Sequence, residues 1–208
     1  MNPGLSSRDS PTALVIRQLQ MRAARDGVWR VRTVAKGRPF FDPDTVQRDV
    51  FVLVAGLVKL SYLSAGGTEA IKSFVVDQGI FGREDGGVDF GAIAVESCNV
   101  VQLPEQWVAR QIEESAELRA SYTLFVNWLR RRKAERERLL LCLTVSERLQ
   151  QFLEIEPDLA GRLPQGDIAR YLGITPIAYS RLKRRLGIGM TARSSLRGDA
   201  VDTAEVDL

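Results

Sequence analysis

Six basic side chains near the carboxyl end of the chain are the residues whose types and spacing could do chemistry. They are Arg181, Lys183, Arg184, Arg185, Arg193 and Arg197, and no acidic residue lies between Asp167 and Asp199. A solvated helix face usually interleaves charges of both signs. An acid-free basic run is what contact with nucleic-acid phosphates requires, so this run predicts DNA binding.

The stretch 163–186 supplies the elements that would position these side chains. Ile168, Ala169 and Leu172 fall on one face of a first helix, and Gly173 can end that helix because glycine adopts positive φ cheaply. Thr175-Pro176 is a good helix start, with Thr as N-cap and Pro at the first helical position. The expected apolar contacts of the second helix come from Ile177 or Ala178, Tyr179, Leu182 and Leu186. This pattern predicts a helix-turn-helix, and an ordinary two-helix corner is the alternative.

Short β-prone runs separated by Gly-rich turns occupy the stretch from about 25 to 104. The clearest run is 49–62, in which Gly56 indicates a turn between two strands, and 69–76 is another predicted strand. Further strands are expected near 28–33, 92–96 and 99–103. This pattern predicts an antiparallel sandwich or barrel. A helix is predicted ahead of it, over 11–25.

A long helical segment follows Pro104, because 105–143 contains neither Gly nor Pro. Leu118, Tyr122, Phe125 and Leu129 recur at intervals of four, three and four, the spacing of a helix that pairs with another helix. We therefore expect a dimer interface along this seam. The alternative is that the seam packs on the β domain of the same chain. Beyond it, the spacing of Thr144 and Glu147 predicts a capping box that opens another helix, and 156–164 is expected to be a linker.

Composition excludes several classes of function. The 208 residues include no His and only two cysteines, Cys98 and Cys142, which lie far apart and match no metal-ligand spacing. We expect no metal and no cofactor, and no enzymatic activity because no nucleophile motif or phosphate loop is present. The longest apolar run, 51–58, is too short to cross a membrane, and no secretory signal is visible. A cytoplasmic location is the expectation.

Several motifs resemble those of the Crp/Fnr family of bacterial transcription regulators. The sequence VAGLVKL at 54–60 looks like the strand–turn–strand of that family, V-x-x-G-x-V-K-L. Gly67, Glu69, Phe74, Gly79, Phe81 and Gly82 follow in the order found in the family. The stretch 163–181 is similar to the DNA-binding end of one branch. The resemblance implies a cyclic-nucleotide-binding-type β-roll, a dimerisation helix and a winged-helix DNA-binding domain.

The effector pocket departs from the pattern of the cyclic-nucleotide-binding members. In those members a Glu follows the F-G pair and holds the ribose, and an Arg some ten residues later meets the phosphate. Here Arg83 follows Gly82, Glu84 could replace the ribose contact only by a one-residue shift, and the region of Val88 and Asp89 contains no Arg. An anionic phosphate without a charged partner is poorly satisfied. We expect this pocket to be degenerate and cAMP not to bind.

The resemblance also predicts the residues that contact DNA. Pro176 and Ile177 align with the Arg and Glu that read bases in the best-known members, so Arg181 is the base-reading residue that carries over, suited to guanine. Gln165, Thr175, Ser180, Arg184 and Arg185 are expected to contact phosphates. The wing that usually follows is expected to be vestigial, because the stretch 187–197 is polar and Gly-rich.

The sequence therefore predicts an α+β protein with five segments. They are an N-terminal helical segment (1–24), an antiparallel jelly-roll-like β-roll (25–104), a dimerisation helix (105–143), a winged-helix-like helix-turn-helix domain (144–198) and an acidic tail (199–208). The predicted function is a homodimeric, sequence-specific regulator that binds double-stranded DNA and works with RNA polymerase. Its effector is not identifiable from the sequence. The alternative is a dimeric interaction module that binds DNA without specificity.

Overall fold

Two antiparallel sheets and seven helices make up the described part of this computed structural model, which covers residues 10–41, 48–83 and 90–188. The strands are β1 (Val31–Val34), β2 (Asp49–Ala55), β3 (Leu57–Leu63), β4 (Glu69–Val76), β5 (Gly79–Gly82), β6 (Gly91–Ala94) and β7 (Cys98–Pro104). The helices are α1 (Pro11–Arg25), α2 (Glu105–Glu114), α3 (Ala116–Cys142), α4 (Val145–Ile155), α5 (Pro157–Arg162), α6 (Gln165–Tyr171) and α7 (Pro176–Arg185).

The strands form the β-roll that the sequence predicts. One sheet has the order β1-β7-β2-β5 and the other β4-β3-β6, with antiparallel pairing throughout the described strands. Gly56 makes the turn that carries the chain from β2 in one sheet to β3 in the other. Its φ is +120°, and a Cβ there would lie 2.7 Å from Cys98 Sγ and 2.9 Å from Cys98 Cα. Only glycine fits, for conformational and steric reasons together.

A cluster of phenylalanines fills the interior of the roll. Phe81 stacks on Phe51 with ring centroids 5.2 Å apart and meets Phe40 edge-on at 4.9 Å. Phe41 and Phe90 extend the cluster, with their centroids 5.8 Å apart. Aromatic rings in these offset and edge-to-face arrangements combine a large buried area with favourable quadrupole contacts.

The helical segment after Pro104 is broken, contrary to the uninterrupted helix expected from its composition. Ser115 is extended (φ −125°, ψ 111°), and its hydroxyl accepts a hydrogen bond from Leu118 N, so it caps α3. α1 packs across this break, with Arg22 donating to Ser115 Oγ at 2.5 Å and Gln18 donating to Ser121 Oγ at 3.0 Å. The predicted helices 11–25 and 144 onward are confirmed, the latter with the predicted capping box of Thr144 and Glu147.

The expected linker 156–164 also differs from the structure, because it contains α5. Pro157 occupies the first turn of this helix, where its missing N–H costs nothing. Leu159 and Leu163 are buried among the side chains of α4, α6 and α7. The segment is therefore part of the core of the C-terminal domain and does not act as a tether.

Candidate DNA-binding surface

The turn between α6 and α7 has the hydrogen bonds of a helix-turn-helix with a glycine cap. Gly173 has φ +76°, Ile174 N donates to Ala169 O at 3.0 Å, and Gly173 N donates to Arg170 O at 3.1 Å. These two bonds form a Schellman motif that satisfies the last carbonyls of α6. Thr175 Oγ1 then accepts from Ala178 N at 3.2 Å and starts α7, as predicted.

The inward face of α7 anchors the helix in the core of the C-terminal domain. Tyr179 and Leu182 are 3% and 6% exposed, and they pack with Ile168, Ala169 and Leu172. Ala169 is fully buried, which lets the two helices approach closely. Burial of these apolar side chains fixes which face of α7 points outward.

The expectation that Ile177 or Ala178 would contribute to this core is wrong. Both side chains are exposed, Ile177 to 66%. The physical reason is helical geometry. Residue 177 lies two positions before Tyr179, about 200° around the helix axis, and therefore on the opposite side.

The outward face of α7 carries the predicted DNA contacts. Arg181 and Arg184 are exposed, and within the described part of the chain neither side chain has a hydrogen bond or ion pair. Ser180 is exposed, and its hydroxyl donates to Pro176 O at 3.0 Å. Arg185 instead donates to Ser146 Oγ of α4 at 3.1 Å, a contact inside the protein. Gln165 and Thr175 are both exposed at the beginnings of their helices.

Asp167, the acidic residue of α6, is neutralised inside the protein. Asp167 of α6 is 6% exposed, and its carboxylate lies 3.0 Å from Arg170 Nη1 and 3.4 Å from Lys59 Nζ of β3. Lys59 also contacts Glu69 of β4 at 2.9 Å. These pairs remove the negative charge from the outward surface of the helix-turn-helix.

The same contacts attach the helix-turn-helix to the β-roll. Leu57 of β3 and Val95 belong to one buried apolar cluster with Leu149 and Phe152 of α4. A second attachment lies at α5, where Arg162 Nη1 donates to Asp77 Oδ2 at 2.7 Å and another Arg162 nitrogen bonds to Glu96. Apolar burial and ion pairs together therefore position α7 relative to the roll.

Asp77 also braces the Gly56 turn, since its Oδ1 accepts from Gly56 N at 2.6 Å. Partial burial tends to raise the pKa of this carboxyl group. The hydrogen bonds from Arg162 and from Gly56 N outweigh that effect, so the pKa of Asp77 lies below its usual value of 3.8. The ionised form is thus the one that the folded protein stabilises.

Two of the five residues named for the degenerate effector pocket lie in the described structure. Gly82 ends β5, and the guanidinium of Arg83 stands over the Phe41 ring with 4.9 Å between guanidinium carbon and ring centroid. Glu84, Val88 and Asp89 lie outside the described residues. The acidic tail also lies outside them, and so does the predicted wing apart from its first two residues, Gly187 and Ile188. The phenylalanine cluster is the feature of this region that the sequence reasoning missed.

The four seam residues of α3 do not share one environment. Leu118 is fully buried and Phe125 is 6% exposed, both packed in the cluster that includes α1. Tyr122 is 39% exposed, and Leu129 is partly buried. Within the chain, Leu118 and Phe125 are thus already buried in a cluster that includes α1, an element that neither the dimer prediction nor its alternative named.

Sequence reasoning also missed the attachment of α5 to the roll. Asp77, Glu96 and Arg162 are separated by up to 85 positions, so no local pattern indicates that they meet. Pro157, directly after a charged residue and ahead of Asp158, was the available signal for a helix start at this point.

These elements define a class of protein: a β-roll followed by helices, the last two of which form a helix-turn-helix with a basic outward face. No helix in the described ranges is long and apolar enough to span a membrane. No family model matches the sequence.

Comparison with known proteins identifies this class more closely. The chain is 29% identical over 164 residues to the nitrogen fixation regulation protein FixK of Azorhizobium caulinodans, a match that covers 71% of this chain and 64% of FixK. The chain thus spans about two thirds of the length of this relative.

Solved structures show the same fold. FixK2 of Bradyrhizobium japonicum superposes with a TM-score of 0.67 at 23% identity, over 77% of this chain and 85% of FixK2. A CooA mutant of Carboxydothermus hydrogenoformans gives 0.64 at 18% identity, over 79% and 80%. A protein assigned to the Crp/Fnr family, from Eubacterium rectale, gives 0.62 at 16% identity, over 81% and 82%. The chain is thus similar in sequence to FixK and in fold to solved structures that include a protein of the Crp/Fnr family, and the predicted resemblance is confirmed.

The ion pair of Asp77 with Arg162 predicts a pH-dependent contribution to stability. The folded-state pKa of Asp77 is depressed, so its contribution is present above pH 3.8 and is lost as the pH falls through the folded-state pKa. We expect Asp77→Asn to lower the free energy of unfolding by about 0.5–1 kcal/mol at pH 7, the range for a partly exposed pair. The difference from wild type should shrink below about pH 4.

Urea denaturation at pH 7 and pH 3.5 measures this difference. Glu154→Gln removes an exposed carboxylate of α4 and serves as the matched control, with little effect at either pH. A gap between Asp77→Asn and wild type that stays the same at both pH values would contradict the assignment.

Proposed function

We propose that this protein is a homodimeric, sequence-specific DNA-binding transcription regulator of the Crp/Fnr type. One observation carries the proposal: α7 buries its apolar face while Arg181 and Arg184, on its outward face, lack partners in the described chain. A rigid helix of this kind fits the major groove, where its unpaired cationic side chains can contact the bases and the phosphates beside them. The similarity to FixK, a regulation protein, supports the same reading.

The exposed residues divide into two roles. Arg181 lies in the middle of the outward face, where a guanidinium can form two hydrogen bonds to guanine O6 and N7. The other exposed residues of the predicted set, Arg184, Thr175, Gln165 and Ser180, contact phosphates, which fixes the register of the protein on DNA. Arg185 is the weakest member of this set, because leaving Ser146 would cost it a hydrogen bond.

Regulation does not require cAMP in this proposal. The phenylalanine cluster occupies the interior of the roll, and a cyclic nucleotide would have to displace packed aromatic rings. Arg83 stands over Phe41, and no Arg occurs between 84 and 91 to meet the phosphate. The roll then serves as a scaffold that positions α7, and the effector, if the protein has one, is of another kind.

The dimer forms along α3, which at about 1.5 Å per residue extends about 40 Å. Tyr122 and the neighbouring Leu124 are exposed to 39% and 53%, and Leu129 is partly buried. Leu118 and Phe125 are buried inside the chain. They pack α3 against its own protomer and so hold the helix in place for the interface. Two copies of α7 would enter successive major grooves of a palindromic site. The protein works in the cytoplasm with RNA polymerase, and it is not an enzyme.

DNA selection from a random pool at near-physiological salt tests the central proposal. We expect wild type to enrich a palindrome. Arg181→Ala should lose its base preference at one position in each half-site, which corresponds to about 1–3 kcal/mol of discrimination against the wrong base. Arg184→Ala is the matched control, since loss of a phosphate contact weakens binding to all sequences and reduces its salt dependence. If wild type enriches nothing and binding only weakens with salt, the non-specific interaction module is the better reading.

A melting experiment tests cAMP independence. A ligand that binds the native state must raise the melting temperature, so we expect cAMP at millimolar concentration to leave it unchanged. AMP provides the matched control nucleotide. A saturable rise with cAMP and none with AMP would contradict the proposal.

Light scattering at micromolar concentration tests the dimer. Wild type should have twice the chain mass, and Tyr122→Glu should shift it toward the monomer, because a charge would have to be buried at the interface. Ile155→Glu, at an exposed apolar residue of α4, should leave the mass unchanged. A monomeric wild type would rule out the interface.

A further inference from the structure

Ile177 is an exposed apolar side chain on the basic face of α7. It is 66% exposed, whereas the other large apolar side chains of the helix, Tyr179 and Leu182, are 3% and 6% exposed. A single exposed apolar residue is ordinary on a protein surface. The position of Ile177 is what distinguishes it, because it lies in the first turn of the helix that would enter the groove.

Ile177 and Arg181 point to the same side of α7. They are four residues apart, which places them on one face and about 6 Å apart along the helix axis. Successive base pairs are about 3.4 Å apart. A helix that places Arg181 against a guanine therefore brings Ile177 to a base pair one or two steps away.

We propose that Ile177 is a specificity-determining residue that reads the 5-methyl group of a thymine one or two base pairs from the guanine read by Arg181. The inference rests on the proposed function. Of the four bases, thymine alone presents a methyl group in the major groove, so an apolar side chain there discriminates without a hydrogen bond. The branched side chain of isoleucine has few rotamers and loses little freedom when it makes this contact.

The surroundings of Ile177 favour DNA over an apolar protein partner. Its neighbours on the outward face include Ser180, Arg181 and Arg184. The exposed apolar residues beside it, Pro176 and Ala178, are small, so Ile177 is the one large exposed apolar side chain of α7. Protein interfaces bury larger apolar patches with few charges at their centre. The methyl group of a thymine in the major groove is likewise a single apolar group on an otherwise anionic surface. It therefore complements a single large apolar side chain among cationic ones.

The test is a double-mutant cycle on the palindrome that wild type enriches. Deoxyuridine replaces thymine at the position in question and removes only the methyl group. Wild type should bind the substituted half-site about fourfold more weakly, the equivalent of burying one methyl-sized group. Ile177→Ala should bind thymine and deoxyuridine equally. Ile155→Ala, at an exposed isoleucine outside α7, should keep the full sensitivity of wild type.

The outcomes separate this inference from the proposed function. The role of Ile177 is overturned if wild type binds equally well when deoxyuridine replaces any thymine near the guanine. It is also overturned if that replacement costs Ile177→Ala as much affinity as it costs wild type. The regulator reading would survive that result, since it depends on enrichment of a palindrome and on Arg181→Ala. Absence of any enriched sequence would overturn both. An unchanged melting temperature of Ile177→Ala confirms that the variant is folded.

Discussion

The attachment of the helix-turn-helix to the β-roll is the contact on which the arrangement of this protein depends. Lys59 of β3 bonds to Glu69 of β4 and to Asp167 of α6, in a place where all three side chains are largely buried. Removing Lys59 would leave both buried carboxylates with Arg170 as their remaining cation among these contacts, and loss of a partner from a buried charge pair is strongly destabilising. Beside it, Leu57 shares one apolar cluster with α4. The orientation of α7 is thus set by the roll as well as by its own domain.

This attachment explains the composition of the helix-turn-helix surface. Asp167 of α6 meets Lys59, yet an acid close to α7, the helix proposed to face DNA, would repel phosphate. Burial of Asp167 between Lys59 and Arg170 satisfies both requirements, because the charge is neutralised where it is needed and screened from the outward face. Glu69 is likewise a largely buried carboxylate that pairs with Lys59. Its burial raises and its bond to Lys59 lowers its pKa, with a net lowering that keeps it ionised at neutral pH.

Local signals were enough to predict many of the elements, and they were not enough to predict how the elements meet. Gly56, Gly173, Thr175 and the capping box of Thr144 each act within a few residues, and the structure has each of them as predicted. The break at Ser115 is different, because it is accompanied by contacts from α1, which lies about a hundred positions earlier and packs across it. The outward direction of Ile177 follows from the burial of Tyr179 and Leu182, which depends on α4 and α6. Contacts between distant segments leave no periodic signal in the sequence.

Two pairs of arginines illustrate the same limit, since they serve different ends. On α3, Arg132 pairs with Glu156 at 3.4 Å, and Arg136 donates to the carbonyls of Ile71 and Tyr171 at 2.9 and 3.0 Å while stacking on the Tyr171 ring. These two side chains hold elements of the protein together, and their hydrogen-bonding groups are already used inside the fold. On α7, Arg181 and Arg184 have no such partners in the described chain. A guanidinium is available to DNA when the protein itself does not use it, so partnership inside the fold, more than charge in the sequence, marks the binding face.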